Sequence, residues 1–214
     1  MQILLEGESV IIKSMNRFLL SSMIVSLAAI AGAQEMDMPD TGYRAGLSSN
    51  ELRLKPGVVA AATSFLPDAK DAARYAPEAA FDEKIETSWV EGNPGDGIGE
   101  KIGFAKFATV KMVKILPGYG TAAHFSRNNR VKRATLSVYE IKEEVMTQDG
   151  LVYAFGRLAK KMDLNFRDEM SMQELPVGVT ARSAKGYLCV LEIKDVFRGS
   201  ACRDTCIAEI RVLE

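Results

Sequence analysis

The sequence predicts an all-β sandwich of the jelly-roll type with at most one short helix. Three observations predict it. From Val58 onward, short apolar segments recur between turn signals. One of them, residues 130–141, places Ala134, Leu136 and Val138 on one face and mostly Lys132, Arg133, Thr135 and Ser137 on the other. That is the period of two of a half-buried strand. The only helix-friendly stretch, residues 67–83, is interrupted by Pro77, which limits it to one short helix or a set of turns. Seven or eight strands with almost no helix make a sandwich, and their uneven spacing favours a jelly roll over a simple meander.

The first 33 residues read as a targeting segment. Arg17 precedes an apolar run from Phe18 to Ala33 that ends in Ala31-Gly32-Ala33, a signal-peptidase type of site. The run is shorter than the roughly 20 apolar residues of a spanning helix. Cleavage after Ala33 leaves no transmembrane segment and implies an exported protein, secreted, periplasmic or at the cell surface. Residues 1–14 carry two glutamates, which such leaders avoid, so Met15 is the expected start. Residues 34–56 are polar and scattered with Pro and Gly, the composition of a flexible leader. Residues 57–214 are then the folded domain.

Within that domain the strands follow in order. Residues 57–66 are apolar and partly β-branched; 100–107 and 109–116 alternate imperfectly; 158–166 and 170–177 are weaker. Residues 186–197 are a strong strand, apolar on both faces at its start, and 206–213 close the chain. The composition, 47% hydrophobic and 26% charged, is ordinary for a globular chain, and the net charge of −1 supplies no global field toward nucleic acid or an acidic membrane. Three cysteines, Cys189, Cys202 and Cys206, allow at most one internal bridge. Extended chain across Cys202-Arg-Asp-Thr-Cys206 spans about 13 Å, too far for a disulfide unless the segment turns. Three buried thiols are the alternative, and the spacing fits neither a zinc ribbon nor a redox pair.

Two stretches carry candidate chemistry. The first, residues 80–100, holds the sole tryptophan, Trp89, after Asp82, Glu83, Glu86 and Thr87 and before a Gly-Asp-Gly-Ile-Gly-Glu run. It lacks the strand–helix context of a dinucleotide fingerprint and the Lys-Ser/Thr of a P-loop, so Gly95, Gly97 and Gly99 read as a turn. Its acids alone do not make a glycosidase pair. Asp82, Thr87 and nearby carbonyls are a compact set of hard oxygens of the kind calcium prefers; an Asp capping its own turn reads the same. The second stretch, residues 118–133, is a loop that gathers Tyr119, the sole His124, Phe125, Arg127, Asn128, Asn129 and Arg130. Sugars want this mixture of aromatic face and planar hydrogen-bonding groups. A solvated basic turn and an anion-attracting surface are the other readings.

The segment Tyr75-Ala-Pro-Glu-Ala-Ala-Phe-Asp-Glu-Lys-Ile-Glu-Thr-Ser-Trp89 resembles the signature of discoidin-like domains, also called F5/8 type C or galactose-binding-like. Ala80, Asp82, Thr87 and Trp89 fall into register, with Glu83 where the pattern has glycine. Together with residues 87–104, 118–136 and 204–210, it is most similar to the NADase-type glycan-binding subgroup. The resemblance implies a bacterial source and a discoidin-like jelly roll over most of residues 58–214. It also implies a structural Ca2+ held by Asp82, Thr87, Glu209 and the carbonyls of Ala79 and Lys84, and a buried rather than sugar-stacking Trp89. The expected function is a non-catalytic, secreted carbohydrate-binding module whose ligand site is Tyr119, His124, Arg127, Asn128 and Arg130, and whose partner is a glycan or glycoconjugate. An adhesion domain for a host or cell-surface protein or an anionic surface is the alternative, and an enzyme acting on carbohydrate is third. No specific nucleic-acid partner is expected.

Overall fold

Residues 46–214 are described by the computed structural model, and along them the alternating segments become twelve strands. These are β1 (Gly46–Leu47), β2 (Glu51–Leu54), β3 (Ala60–Ala62), β4 (Trp89–Val90), β5 (Lys101–Phe107) and β6 (Val110–Leu116). The long β7 (Asn129–Thr147) and β8 (Gly150–Asn165) form a hairpin, followed by β9 (Gln173–Val179), β10 (Tyr187–Phe197), β11 (Thr205–Ile207) and β12 (Glu209–Leu213). The helix-friendly stretch yields only a 3-10 turn, Pro77–Ala80, that starts at the proline itself. One α-helical turn, α1 (Ala122–Phe125), lies in the loop after β6.

The strands form two sheets. The larger runs β1-β2-β8-β7-β10-β5-β3, with β11 pairing parallel to β7 and antiparallel to β4; the smaller is β12-β6-β9. Apolar faces from both sheets meet in the core. Phe104, Leu136, Cys189, Leu191 and Ile193 from the large sheet pack in one cluster with Val113, Ile115 and Ile210 from the small one. Residues 206–213 do not form one strand. The chain passes Ala208, whose N–H donates to the Leu116 carbonyl, and crosses from β11 in one sheet to β12 in the other, a corner of the kind that closes sandwiches. The two weaker segments also separate, β8 into the large sheet and β9 into the small one.

β10 is apolar on both faces because both faces are covered. Tyr187, Cys189, Leu191 and Ile193 enter the core between the sheets. Leu188 and Val190 join a second cluster with Leu52, Leu54, Ala61, Ala105, Ile141 and Tyr153. The loose leader expected over 34–56 is therefore corrected for residues 46–54. Glu51–Leu54 pairs antiparallel with Leu151–Ala154 of β8, and Leu52 and Leu54 are buried. Residues 1–45, with the expected signal segment, lie outside the described residues. Among the described residues no helix is long and apolar enough to cross a membrane. All three cysteines are free thiols; Cys189 and Cys206 are buried, which pushes both thiols well up from their ordinary value.

Candidate functional site

Trp89 anchors the end of the sandwich from inside. It is 0% exposed, pairs in register with Ile207, and its indole N–H donates to the Ser64 carbonyl at 3.0 Å. The glycine run that follows is a turn wrapped over a buried acid. Gly97 has φ of 67°, and a Cβ there would come within 2.7 Å of Glu91 Cγ. Glu91 Oε2 accepts from Asn93 N–H at 2.9 Å and Oε1 from Thr205 N–H at 3.2 Å, so the acid ties this turn to β11. Burial, foremost, raises its carboxyl above the ordinary value.

Four of the five residues of the expected metal site, Ala79, Asp82, Lys84 and Thr87, converge. Thr87 Oγ1 lies 2.9 Å from each Asp82 carboxylate oxygen, 2.8 Å from the Lys84 carbonyl and 3.4 Å from the Ala79 carbonyl. One hydroxyl carries one proton and donates to one of these four oxygens. The Thr87 N–H donates to the Lys84 carbonyl at 3.3 Å and the Lys84 N–H to Asp82 Oδ1 at 3.0 Å, so the turn is partly closed on itself. Glu209 arrives from β12 with 1% of its surface exposed. Its Oε1 accepts from Arg211 at 3.3 Å, whereas its buried Oε2 has no partner. Its carboxyl is raised above the ordinary value by burial first, and further by the charges of Asp82 and Glu83. Glu83, standing where the family pattern has glycine, adopts the left-handed φ of 63° itself, so the turn is kept at a conformational cost. Among the described residues no group of three His, Cys, Asp or Glu side chains gathers at one point. Any cation here would lean on carbonyl and hydroxyl oxygen as well as on two carboxylates, a donor set suited to calcium.

The second loop divides the five residues expected to bind ligand. His124 and Arg127 are exposed and Tyr119 is half-buried. The rings of Tyr119 and His124 lie 5.3 Å apart at 42°, and His124 Nδ1 sits 3.0 Å from Thr121 Oγ1. Burial, then Cys206 and the hydrogen-bonded Tyr75, push the Tyr119 phenol far up from its ordinary value, so it stays neutral. Asn128 and Arg130 do not face outward, which corrects the expectation for both. Asn128 Nδ2 donates to the His124 carbonyl at 3.0 Å and closes α1. Arg130, 7% exposed, grips Asp168 bidentately at 2.9 and 2.6 Å, donates to the carbonyls of Asn128 and Arg198, and lies 5.4 Å over the Phe125 ring. Every donor face of its guanidinium is engaged within the fold.

Three residues outside the expected ligand set complete the site, Asn129 beneath the rim and Tyr75 and Arg74 beside Tyr119. Asn129, 1% exposed, donates to Asp96 Oδ1 and the Arg203 carbonyl and accepts from Gly199 N–H, which sews three loops together. Tyr75 reaches Tyr119, and the Arg74 guanidinium stands 5.1 Å over the Tyr75 ring. The signal for this pair was the Arg-Tyr dipeptide just before the Ala80–Trp89 motif, hidden in a stretch that reads as helix. The two candidate loops also touch. A Cβ on Gly120 would fall 1.9 Å from the Ile85 carbonyl oxygen, so the oxygen-rich turn and the aromatic rim lean on each other.

A family model described as the NAD glycohydrolase translocation F5/8 type C domain matches residues 55–213. A search of curated proteins returned no match. Solved structures with a similar fold include CpGH89CBM32-5 from Clostridium perfringens, in complex with GalNAc-β-1,3-galactose. It is 19% identical, with a TM-score of 0.47, covering 72% of this chain and 94% of that one. The family 32 carbohydrate-binding module of Clostridium perfringens NanJ, in complex with galactose, is 15% identical with a TM-score of 0.44, covering 72% and 92%. An F5/8 type C domain from Bacteroides fragilis is 14% identical with a TM-score of 0.43, covering 72% and 89%.

Proposed function

The chain belongs to the NAD glycohydrolase translocation F5/8 type C domain family, and on that premise we propose that it is a secreted, non-catalytic module that binds glycan at its rim. The observation that carries this reading is the outward group of Tyr119, His124 and Arg127, standing on a floor of Asn128, Asn129 and Arg130 whose polar groups are engaged within the fold. A fixed floor leaves the loop little entropy to lose on binding. The Tyr119 ring, packed against His124, offers an apolar edge to a sugar's C–H face; His124 and Arg127 offer planar donors to its hydroxyls. The acids best placed for chemistry are occupied, Asp82 with Thr87 and Glu91 with backbone N–H groups, which argues against a glycosidase pair.

Calcium belongs to the same proposal. Asp82, Thr87 and Glu209 would hold it with the Ala79 and Lys84 carbonyls, and the orphaned Glu209 Oε2 supports that assignment. The ion would brace the turn that touches Gly120, and so the rim, without entering any chemistry. Secretion rests on the leader ending at Ala33; an N-terminus at Gln34 in the native protein is its check.

Glycan arrays with His124→Ala and Arg127→Ala test the binding. The reading expects array hits that both variants weaken by roughly 5- to 150-fold, from a lost hydrogen bond of about 1–3 kcal/mol. Binding that ignores both substitutions sinks it. Binding to polyanions of any structure, collapsing with salt, would favour the adhesion reading.

A further inference from the structure

A second depression opens at the other end of the small sheet. β6 ends at Leu116 beside Glu209 and the rim, and begins at Val110 beside Val179 of β9. Seven residues at about 3.4 Å each put roughly 20 Å between those ends. At the Val110 end, Ala108, Thr109, Lys111, Thr180, Arg182 and Glu214 line a cavity of about 330 Å³.

Three chain segments build its walls, and Ala108 locks them. Its N–H donates to Glu214 Oε1 at 2.9 Å and its carbonyl accepts from Ser183 N–H at 3.3 Å. The charges on the walls are uneven. Elsewhere on this sheet cations have partners, Lys114 with Glu174 and Arg211 with Glu209. Lys111 and Arg182 are exposed and have no hydrogen bond or ion pair among the described residues. Thr109 is only 7% exposed, and its hydroxyl is buried without a partner among the described residues.

We infer that this cavity is a second binding site, and that its ligand is a single sugar residue bearing a carboxylate. Two cations lining one cavity, Lys111 from β6 and Arg182 from the segment after β9, suit a carboxylate, and the Arg182 fork can take it bidentately. Glu214 is the counterweight. One of its oxygens is spent on Ala108, and the other is an acceptor for ring hydroxyls and a repulsive charge against a compact dianion such as phosphate. Thr180 adds an exposed hydroxyl that donates or accepts. No aromatic ring lines the cavity, so a neutral hexose has nothing to stack on. The volume is at the small end of ligand sites, about 300–1,000 Å³, room for a monosaccharide.

Calorimetric titration of the full chain with glucuronate, glucose and acetate tests this. Glucuronate should bind, with glucose and acetate at least tenfold weaker. Arg182→Ala and Lys111→Ala should each weaken glucuronate roughly tenfold or more, the loss of one charged hydrogen-bonding partner. Both side chains are exposed, so an unchanged melting curve is the control. Absent glucuronate binding, or binding that survives Arg182→Ala, overturns the site. Acetate binding as tight as glucuronate overturns the sugar. Glucuronate binding lost in His124→Ala would move the ligand to the rim and also overturn the inference. The rim reading stands or falls on His124 and Arg127 alone, so the two failures are distinguishable.

Discussion

Arg127 and Arg130 are three residues apart on one loop and serve opposite ends. Arg127 is exposed and has no ion pair among the described residues, while Arg130 is locked on Asp168, two carbonyls and the Phe125 ring. The upper loop, from Tyr119 to Arg127, presents chemistry; the lower part, Asn128 to Arg130, supplies the rigidity that presentation requires. The lesson is that residue type does not separate ligand groups from scaffold. The partner does, and the partners of Arg130 lie 38 and 68 residues away in sequence.

The comparison is broken most severely from below. Trp89→Ala, which removes the ring plugging the sandwich, should destabilise the domain by about 3–5 kcal/mol, read as a lower urea midpoint. Should that variant fold normally and lose only binding, the tryptophan segment is the binding surface and the roles are reversed. Arg130→Ala should cost about 3 kcal/mol, because it strands buried carbonyls and leaves Asp168 unpaired. Its partner-sparing control, Arg127→Ala, should stay within about 0.5 kcal/mol of the parent in the same urea titration. Equal losses in both would erase the distinction between floor and rim.

Gly120→Ala tests how the rim is braced. A methyl driven against the Ile85 carbonyl has to push two loops apart, an overpacking effect of about 1–3 kcal/mol, and glycan affinity should fall with stability because the two loops act as one. Unaltered affinity would uncouple the oxygen-rich turn from the rim.

The smallest effect is electrostatic. Glu91 and Glu209 have carboxyls raised above 4.5 in the fold, so the folded protein keeps protons that the unfolded chain has already released. Between 4.5 and those raised values stability should fall as pH rises. Asp68 and Asp195 act in the other direction. Backbone hydrogen bonds, foremost from Lys70, hold Asp68 below 3.8, and the Lys132 hydrogen bond does the same for Asp195. Stability should therefore climb with pH through the Asp range, decline between 4.5 and the raised Glu values, and level off above them. Calcium at Glu209 should flatten the decline, and chelator should restore it together with a lower Tm. A melting curve indifferent to chelator at neutral pH would assign Asp82 to capping its own turn.

Much of the fold was legible because it is written locally. The alternation of Ala134, Leu136 and Val138 and the two-faced start of β10 are properties of a strand that a reader can count. What covers the outer face of β10 was not legible. Its cover is Leu52 and Leu54, two leucines in an otherwise polar segment, whose meaning comes from pairing with β8 some 100 residues later. The family resemblance pointed to Asp82, Lys84, Thr87 and Ala79, and these four do meet in one turn, because the pattern that carries them is short and local. The rim was readable only as a location. Asn129 was legible as a member of the loop but not as scaffold, because its three bonds go to Asp96, Arg203 and Gly199, distant in sequence.

The strand pair ahead of residue 55 has a practical consequence for anyone handling this protein. The family match spans residues 55–213, and a chain trimmed to those limits loses β1, β2 and Glu214. Leu188, Val190, Ile141 and Tyr153 would then face water with their covering leucines gone, and the edge of β8 at Leu151–Ala154 would lie open to the next molecule's strand. Such a fragment should come out of cells as oligomer or precipitate, while the chain begun at Gly46 or earlier stays dispersed.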